Sequence, residues 1–276
     1  MNYAQLFSAY QEELELVGED AENLTYVFRE MKNWSLLDFI LRQNQEISKE
    51  DEKLAIKIFR ELKAHRSPQY ITGKAYFRDL TLAVDERVLI PRPETEELVD
   101  LILSENGEAP ISLLDIGTGS GVIAISLKKE RPKWCITASD ISPQAIDLAR
   151  ENAAFHTVDI QFIQSDVFSQ IPDIFDVIVS NPPYISYRDK DEVGQNVLAS
   201  EPHLALFANE NGFAIYRKII EQAREHLTPK GKLYFEIGYK QGEGLLHLLT
   251  QYFPEKRYRV IKDSFGKDRM VVMDNV

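Results

Sequence analysis

The sequence predicts an α/β fold: a mostly parallel sheet covered on both faces by helices, preceded by a small helical bundle. Two observations carry this. Up to about residue 62 the apolar residues recur at helical spacing. From residue 111 onward, short apolar runs alternate with amphipathic stretches, the pattern of successive strand and helix units. At 276 residues the chain can hold one large and one small domain, taking roughly 100 to 200 residues per domain.

In the front part Leu6, Phe7, Tyr10 and Leu14, then Leu24, Val27, Phe28 and Met31, mark two apolar helix faces. Ser48 followed by Asp51 forms a weak capping box, opening a helix that carries Ile56, Phe59 and Leu62 near one face. After Ser67-Pro68 the period shortens to two. Leu80, Leu82 and Val84 alternate with Thr81, Ala83 and Asp85, with Arg78-Asp79 at a turn, so residues 70–89 read as a hairpin between domains. Pro91-Arg92-Pro93-Glu94 then opens a helix through Leu98, Val99, Leu101 and Ile102, with proline and acidic residues where a helix N-terminus favours them. Strands follow at 111–116, 134–139, 160–163, 175–180 and 232–237, and the final two, 257–262 and 269–273, are joined by Asp263-Ser264-Phe265-Gly266. The expected domains are 1–69 (helical), 70–90 (linking hairpin) and 91–276 (sheet). Neither an internal repeat nor a low-complexity tract interrupts them.

Composition narrows the function. With 44% hydrophobic and 28% charged residues the chain is an ordinary folded protein rather than a disordered one. Its one cysteine, Cys135, allows no internal disulfide, which suits a reducing cytosol; its place in an apolar strand predicts a buried structural thiol. No stretch approaches the roughly 18 apolar residues of a membrane span, and the N-terminus lacks a signal-peptide layout, so a cytoplasmic protein without membrane contact is expected. A net charge of -12 and a pI near 5.0 argue against a broad nucleic-acid footprint. The five histidines are scattered without metal-ligand spacing, and no Gly-x-Ser-x-Gly elbow is present, so neither a metal site nor acyl chemistry is expected.

Two motifs carry chemistry. The strand ending in Asp115-Ile116 runs into Gly117-Thr118-Gly119-Ser120-Gly121, a turn whose glycines let backbone approach a ligand. Asp140 ends the next strand, about 20 residues on, where an acidic residue grips a ribose. The dinucleotide spacing and the lysine of a phosphate-cradling loop are both absent, which favours a ligand with one nucleoside and no phosphates, such as S-adenosylmethionine. Phe168 follows the third strand, either stacking on the adenine or lying in the core.

The strand at 175–180 ends in Asn181-Pro182-Pro183-Tyr184, at the carboxyl edge where ligands bind in such sheets. An amide nitrogen is a poor nucleophile and must be held in line with an activated methyl group. Its two N–H donors could be accepted by the Asn181 side-chain oxygen and the Pro182 carbonyl, held rigid by the prolines, while Tyr184 offers a flat surface near a positive charge. The plainer alternative is a loop breaker after a strand.

The sequence resembles the peptide-chain release factor glutamine methyltransferases, the PrmC or HemK family, over essentially its whole length. The marks are Ile90-Pro91-Arg92-Pro93-Glu94-Thr95-Glu96, Asp115-Ile116-Gly117-Thr118-Gly119-Ser120-Gly121, Asn181-Pro182-Pro183-Tyr184-Ile185, Glu201-Pro202-His203-Leu204-Ala205-Leu206 and Gly266-Lys267-Asp268-Arg269. The resemblance implies a Rossmann-like class I methyltransferase sheet, mostly parallel with an antiparallel last strand. It implies S-adenosylmethionine as methyl donor, leaving as S-adenosylhomocysteine, and as substrate the glutamine N5 of a Gly-Gly-Gln loop in class I release factors. By it, Gly117, Thr118, Gly119, Ser120, Gly121, Asp140, Phe168 and Asn181 contact the cofactor, while Asn181, Pro182, Pro183 and Tyr184 bind the glutamine, with Asn181, Pro182 and Tyr184 catalytic. The helical domain would dock the protein substrate, and a monomer without direct nucleic-acid contact is expected. The chain departs from the pattern at Ser200, where an aromatic is usual, and at Asn211-Gly212, where Asp-Gly is usual. Arg92 and Glu94 fit a functional role or a helix start equally. The alternatives are an adenine-N6 methyltransferase, whose exocyclic amine would fit the same acceptors after base flipping, and a noncatalytic cofactor-binding module.

Overall fold

In the computed structural model, residues 1–275 are described. They form two compact units, Met1–Lys74 with Val193–Glu201, and Ala75–Glu192 with residues 202–275.

The first unit contains α1 (Tyr3–Leu16), α2 (Glu22–Lys32), α3 (Leu36–Arg42), α4 (Lys49–Lys63) and α5 (Pro68–Thr72). Asn2 and Ser35 close reciprocal capping boxes on α1 and α3. At α4 the box is one-sided: Ser48 Oγ accepts from Asp51 N at 3.1 Å, but the Asp51 carboxylate turns away to Lys32 at 2.6 Å and to the Tyr3 hydroxyl. Leu6, Phe7, Leu14, Leu24, Val27, Phe28, Phe59 and Leu62 fill one buried cluster, which is why their helical spacing was visible, but on α4 it is Ile58, not the expected Ile56, that joins them; Ile56 is only partly buried. Met31 lies outside it, exposed. Among the described residues no helix is long and apolar enough to cross a membrane.

The second unit opens with a short two-stranded sheet, β1 (Lys74–Phe77) and β2 (Leu80–Ala83), turning at Arg78 with φ 50°. The hairpin is shorter than residues 70–89. Pro68 starts α5 and the left-handed Gly73 ends it, so Tyr70 lies on a helix rather than a strand. Then follow α6 (Pro93–Glu105), β3 (Ser112–Ile116), α7 (Val122–Glu130), β4 (Cys135–Asp140), α8 (Pro143–Phe155), β5 (Gln161–Gln164), β6 (Phe175–Ser180) and β7 (Ile185–Ser186). After α9 (Gln195–Ser200), which belongs to the first unit, come α10 (His203–Leu206), β8 (Phe207–Ala208), α11 (Ala214–His226), β9 (Leu227–Glu236), α12 (Gly242–Tyr252), β10 (Arg257–Lys262) and β11 (Asp268–Asp274).

Seven strands make the main sheet in the order β10-β11-β9-β6-β3-β4-β5, with β11 antiparallel to both neighbours and the pairings from β9 to β5 parallel. Alternate residues enter two separate cores. Leu113, Val177, Val179 and Tyr234 face one; Leu114, Ile116, Ile178, Leu233 and Phe235 face the other. Burial on both faces makes each strand an unbroken apolar run, as parallel sheets require. β9 starts at Leu227, earlier than its apolar run suggests, because Thr228-Pro229-Lys230-Gly231 forms an irregularity between the Phe175–Leu227 and Val177–Lys232 pairs. Cys135 corrects another expectation: it is exposed rather than buried, being the entry residue of β4, while burial begins with Trp134 before it and Ile136 after it.

Candidate functional site

The parallel register aligns the carboxyl ends of three strands. Ile116 pairs with both Ser139 and Ser180, so the glycine turn after β3, Asp140 at the end of β4 and Asn181 after β6 converge. The turn is anchored to β4, for Gly117 N and Thr118 N both donate to the Ser139 carbonyl, at 2.8 and 2.9 Å. Asp115, fully buried in β3, accepts the Thr118 hydroxyl at 2.7 Å, and burial pushes its carboxyl up to about 7. Gly121 ends the turn at φ 84°; a Cβ there would lie 2.9 Å from Ile125 Cδ1 of α7 and 3.3 Å from Ala149 Cβ of α8, so glycine suits both the backbone conformation and the close approach of the two helices.

The Asp140 carboxylate accepts from Gly119 N at 3.0 Å and from Ser142 N at 2.9 Å. Burial raises its pKa, and those backbone donors oppose the rise only in part. Further hydroxyl donors would relieve it, which suits a ribose diol. Asn152 of α8 clips the turn from behind: its NH2 donates to the carbonyls of Ser120 and Ala83, at 2.9 and 3.0 Å, and its oxygen accepts from Ala83 N at 2.8 Å.

Across the cavity, Asn181 Nδ2 donates to Thr95 Oγ1 at 3.3 Å, and the Thr95 hydroxyl donates to Glu236 at 2.6 Å. Glu236 is buried at the end of β9, and loss of hydration pushes it up to about 7. The carbonyl of Tyr184 accepts from Gln241 Nε2 at 3.1 Å. Burial, then the charge of Glu236, pushes the Tyr184 phenol up to about 12, so the phenol is neutral and no general base. Immediately after it, β7 pairs in parallel with β8.

Gly117, Thr118, Gly119, Ser120, Asp140, Asn181, Pro182 and Pro183 line one cavity, together with Arg92, Thr95, Ile141 and Val167. Gly121, Phe168 and Tyr184 are not in its wall, nor is Glu94. Phe168 is buried beside this wall, in the core under the sheet. Val167, at φ 55°, is among the lining residues, while the Phe168 ring stacks on that of His226 at 4.2 Å. Ser120 Oγ is buried in the lining without a protein partner, and Ile141 and Val167 offer apolar flanks, so the residues present fit a nucleoside-bearing ligand. Among the described residues no group of His, Cys, Asp and Glu could hold a metal ion.

Glu236, Asn152 and Gln241 went unmarked in the sequence, and Thr95 was quoted only as part of a motif, with no role. For Glu236 a signal existed, a lone carboxylate inside the apolar run Leu233-Tyr234-Phe235-Glu236-Ile237. Thr95 stood within the proline-rich motif, where helix-start chemistry sufficed to explain it.

Residues 96–206, which include the glycine turn, Asp140 and Asn181, match the family described as Methyltransferase small domain. Over 276 residues the chain is 56% identical to the release factor glutamine methyltransferase of Streptococcus pneumoniae, covering 100% of this chain and 99% of that protein. A protein of the same name from Lactococcus lactis is 49% identical over 253 residues, 92% of this chain and 94% of that one. Among solved structures, a methyltransferase from Pyrococcus furiosus aligns with a TM-score of 0.55 at 19% identity, over 81% of this chain and 98% of that one, a likeness of fold alone.

Proposed function

The chain belongs to the release factor glutamine methyltransferase family, and we propose that it methylates N5 of the glutamine in the Gly-Gly-Gln loop of class I peptide-chain release factors, using S-adenosylmethionine. One observation supports this most: a single cavity has a nucleoside-type wall at the glycine turn and Asp140, and an amide-type wall at Asn181 and Pro182.

Gly117, Thr118, Gly119, Ser120 and Asp140 would hold the cofactor, Asp140 through the ribose hydroxyls. When bound, S-adenosylmethionine supplies an electrophilic methyl group on a sulfonium and departs as S-adenosylhomocysteine. The substrate amide has two N–H donors, and Asn181 Oδ1 with the Pro182 carbonyl would accept both, orienting the nitrogen and drawing its lone pair out of amide conjugation. Pro182 and Pro183 restrict the backbone that carries this carbonyl. Tyr184 adjoins the wall, where its half-buried ring would flank the planar group. Residues 1–69 would form the surface that docks the protein substrate, with 70–90 linking them to the methyltransferase domain at 91–276. The acidic chain would act on protein in the cytoplasm as a monomer, without direct nucleic-acid contact.

Release factor and DNA offered in parallel with labelled cofactor test the substrate; mass spectrometry should find one methyl group on the glutamine, whereas label only in DNA would defeat the assignment. At the cofactor wall, Asp140→Asn should weaken S-adenosylhomocysteine binding about tenfold by calorimetry, as expected when a charged acceptor becomes neutral. Unchanged affinity would remove Asp140 from the ribose site.

A further inference from the structure

Resting on the assignment of Asn181 as acceptor of the substrate amide, we propose that Thr95 and Glu236 are positioning residues that fix which way the Asn181 amide points, through a one-directional chain of hydrogen bonds. An asparagine amide has two orientations of nearly equal shape and opposite hydrogen-bonding sense. With Oδ1 toward the substrate it accepts an N–H; flipped, it sets NH2 against NH2.

The polarity follows from the buried end. An ionised carboxylate only accepts hydrogen bonds. Glu236 is 1% exposed, and the Thr95 hydroxyl, itself 2% exposed, directs its single proton to it at 2.6 Å. Thr95 Oγ1 then has only lone pairs left to offer. Whatever meets it from the cavity side must donate, and Asn181 Nδ2 does so at 3.3 Å. The amide oxygen is thereby turned away from Thr95 and kept free as an acceptor.

Every element around Glu236 contributes charged or titratable groups. Glu94 lies on α6, and Tyr184 follows β6 beside Asn181. Tyr216 of α11 donates its hydroxyl to the Glu236 backbone carbonyl at 2.7 Å, and Arg269 lies on β11. Burial and Glu94 favour the protonated acid, while Thr95, Arg269 and Asn181 favour the carboxylate, with the balance near neutrality. A protonated Glu236 could itself donate to Thr95, and the chain would lose its direction. Turnover should therefore fall as pH drops through about 7.

The test compares wild type with Thr95→Val, Thr95→Ser and Glu236→Gln on release factor and S-adenosylmethionine. Thr95→Val should lower kcat about 10- to 100-fold, with KM for the cofactor within about threefold, and Thr95→Ser should recover most of the loss. Glu236→Gln keeps the shape but adds a donor; it should lower kcat about tenfold at neutral pH and flatten the acid side of the kcat profile. Both variants within about twofold of wild type, or an acid side in Glu236→Gln superimposable on wild type, would overturn the proposal. If Thr95→Val fails to fold, the isosteric Glu236→Gln decides alone. Hydrogen exchange of the Asn181 side-chain NH2, measured by NMR with S-adenosylhomocysteine bound, needs no substrate: it should be slow in wild type and faster in Glu236→Gln and Thr95→Val. Equal rates would refute the positioning role even if wild type methylated no release factor, a result that would instead count against the substrate assignment.

Discussion

Replacing Asn181 with alanine should reduce turnover at least about 100-fold, the scale on which one preorganised transition-state partner acts. The planar nitrogen reacts only when both its hydrogens are held and its lone pair is drawn toward the methyl group. Removing one of two acceptors leaves it free to rotate back into conjugation. Asn181 is half-buried at the cavity wall, and losing its 3.3 Å hydrogen bond to Thr95 should cost only about 1 kcal/mol of stability. S-adenosylhomocysteine affinity should weaken far less than turnover, since the glycine turn and Asp140 lie on the other wall. Single-turnover methyl transfer beside calorimetry separates the two effects, and near-normal turnover would rule out the amide-gripping role.

A second large effect is expected outside the cavity, at Gly212→Ala. Gly212 has φ 88°, and a Cβ there would stand 2.1 Å from the Tyr184 carbonyl oxygen and 2.7 Å from Gln241 Nε2. The obstacle is backbone, so relief requires moving the Asn181-Pro182-Pro183-Tyr184 segment itself. The substitution should cost about 2 to 4 kcal/mol of stability and lower turnover of the folded fraction at least tenfold, to about the extent that a misplaced reacting group does. Gly266→Ala is the control: its φ is 80°, yet nothing stands within 4 Å of the added carbon, so only the backbone penalty of roughly 1 to 2 kcal/mol applies. Equal thermal shifts in the two variants would refute the steric account.

The sheet was legible because its order is local. Leu113 and Leu114, or Val177 and Ile178, are adjacent in sequence yet enter opposite cores, so each strand announces itself as an apolar run. Gly117-Thr118-Gly119-Ser120-Gly121, Asp140 and Asn181-Pro182-Pro183 were legible for a related reason, since each marks the end of such a run. What escaped depends on one dihedral angle or on distant partners. Val167 takes a left-handed conformation at φ 55°, and nothing about a valine foretells it. β7 and β8, two residues each, are too short for a period. Thr95 and Glu236 stand 141 residues apart, and their contact exists only once the sheet has formed.

The clip made by Asn152 has a mechanical meaning. One carboxamide fastens the last residue of β2 and the glycine turn to the same point on α8, with both its hydrogens engaged. Loosening either attachment leaves a buried donor unmet, a cost of about 1 to 3 kcal/mol that couples the two. Cofactor capture should thus slow amide exchange in a hairpin it never touches, and strain placed on that hairpin should be felt, with equal free energy, as weaker grip on the cofactor.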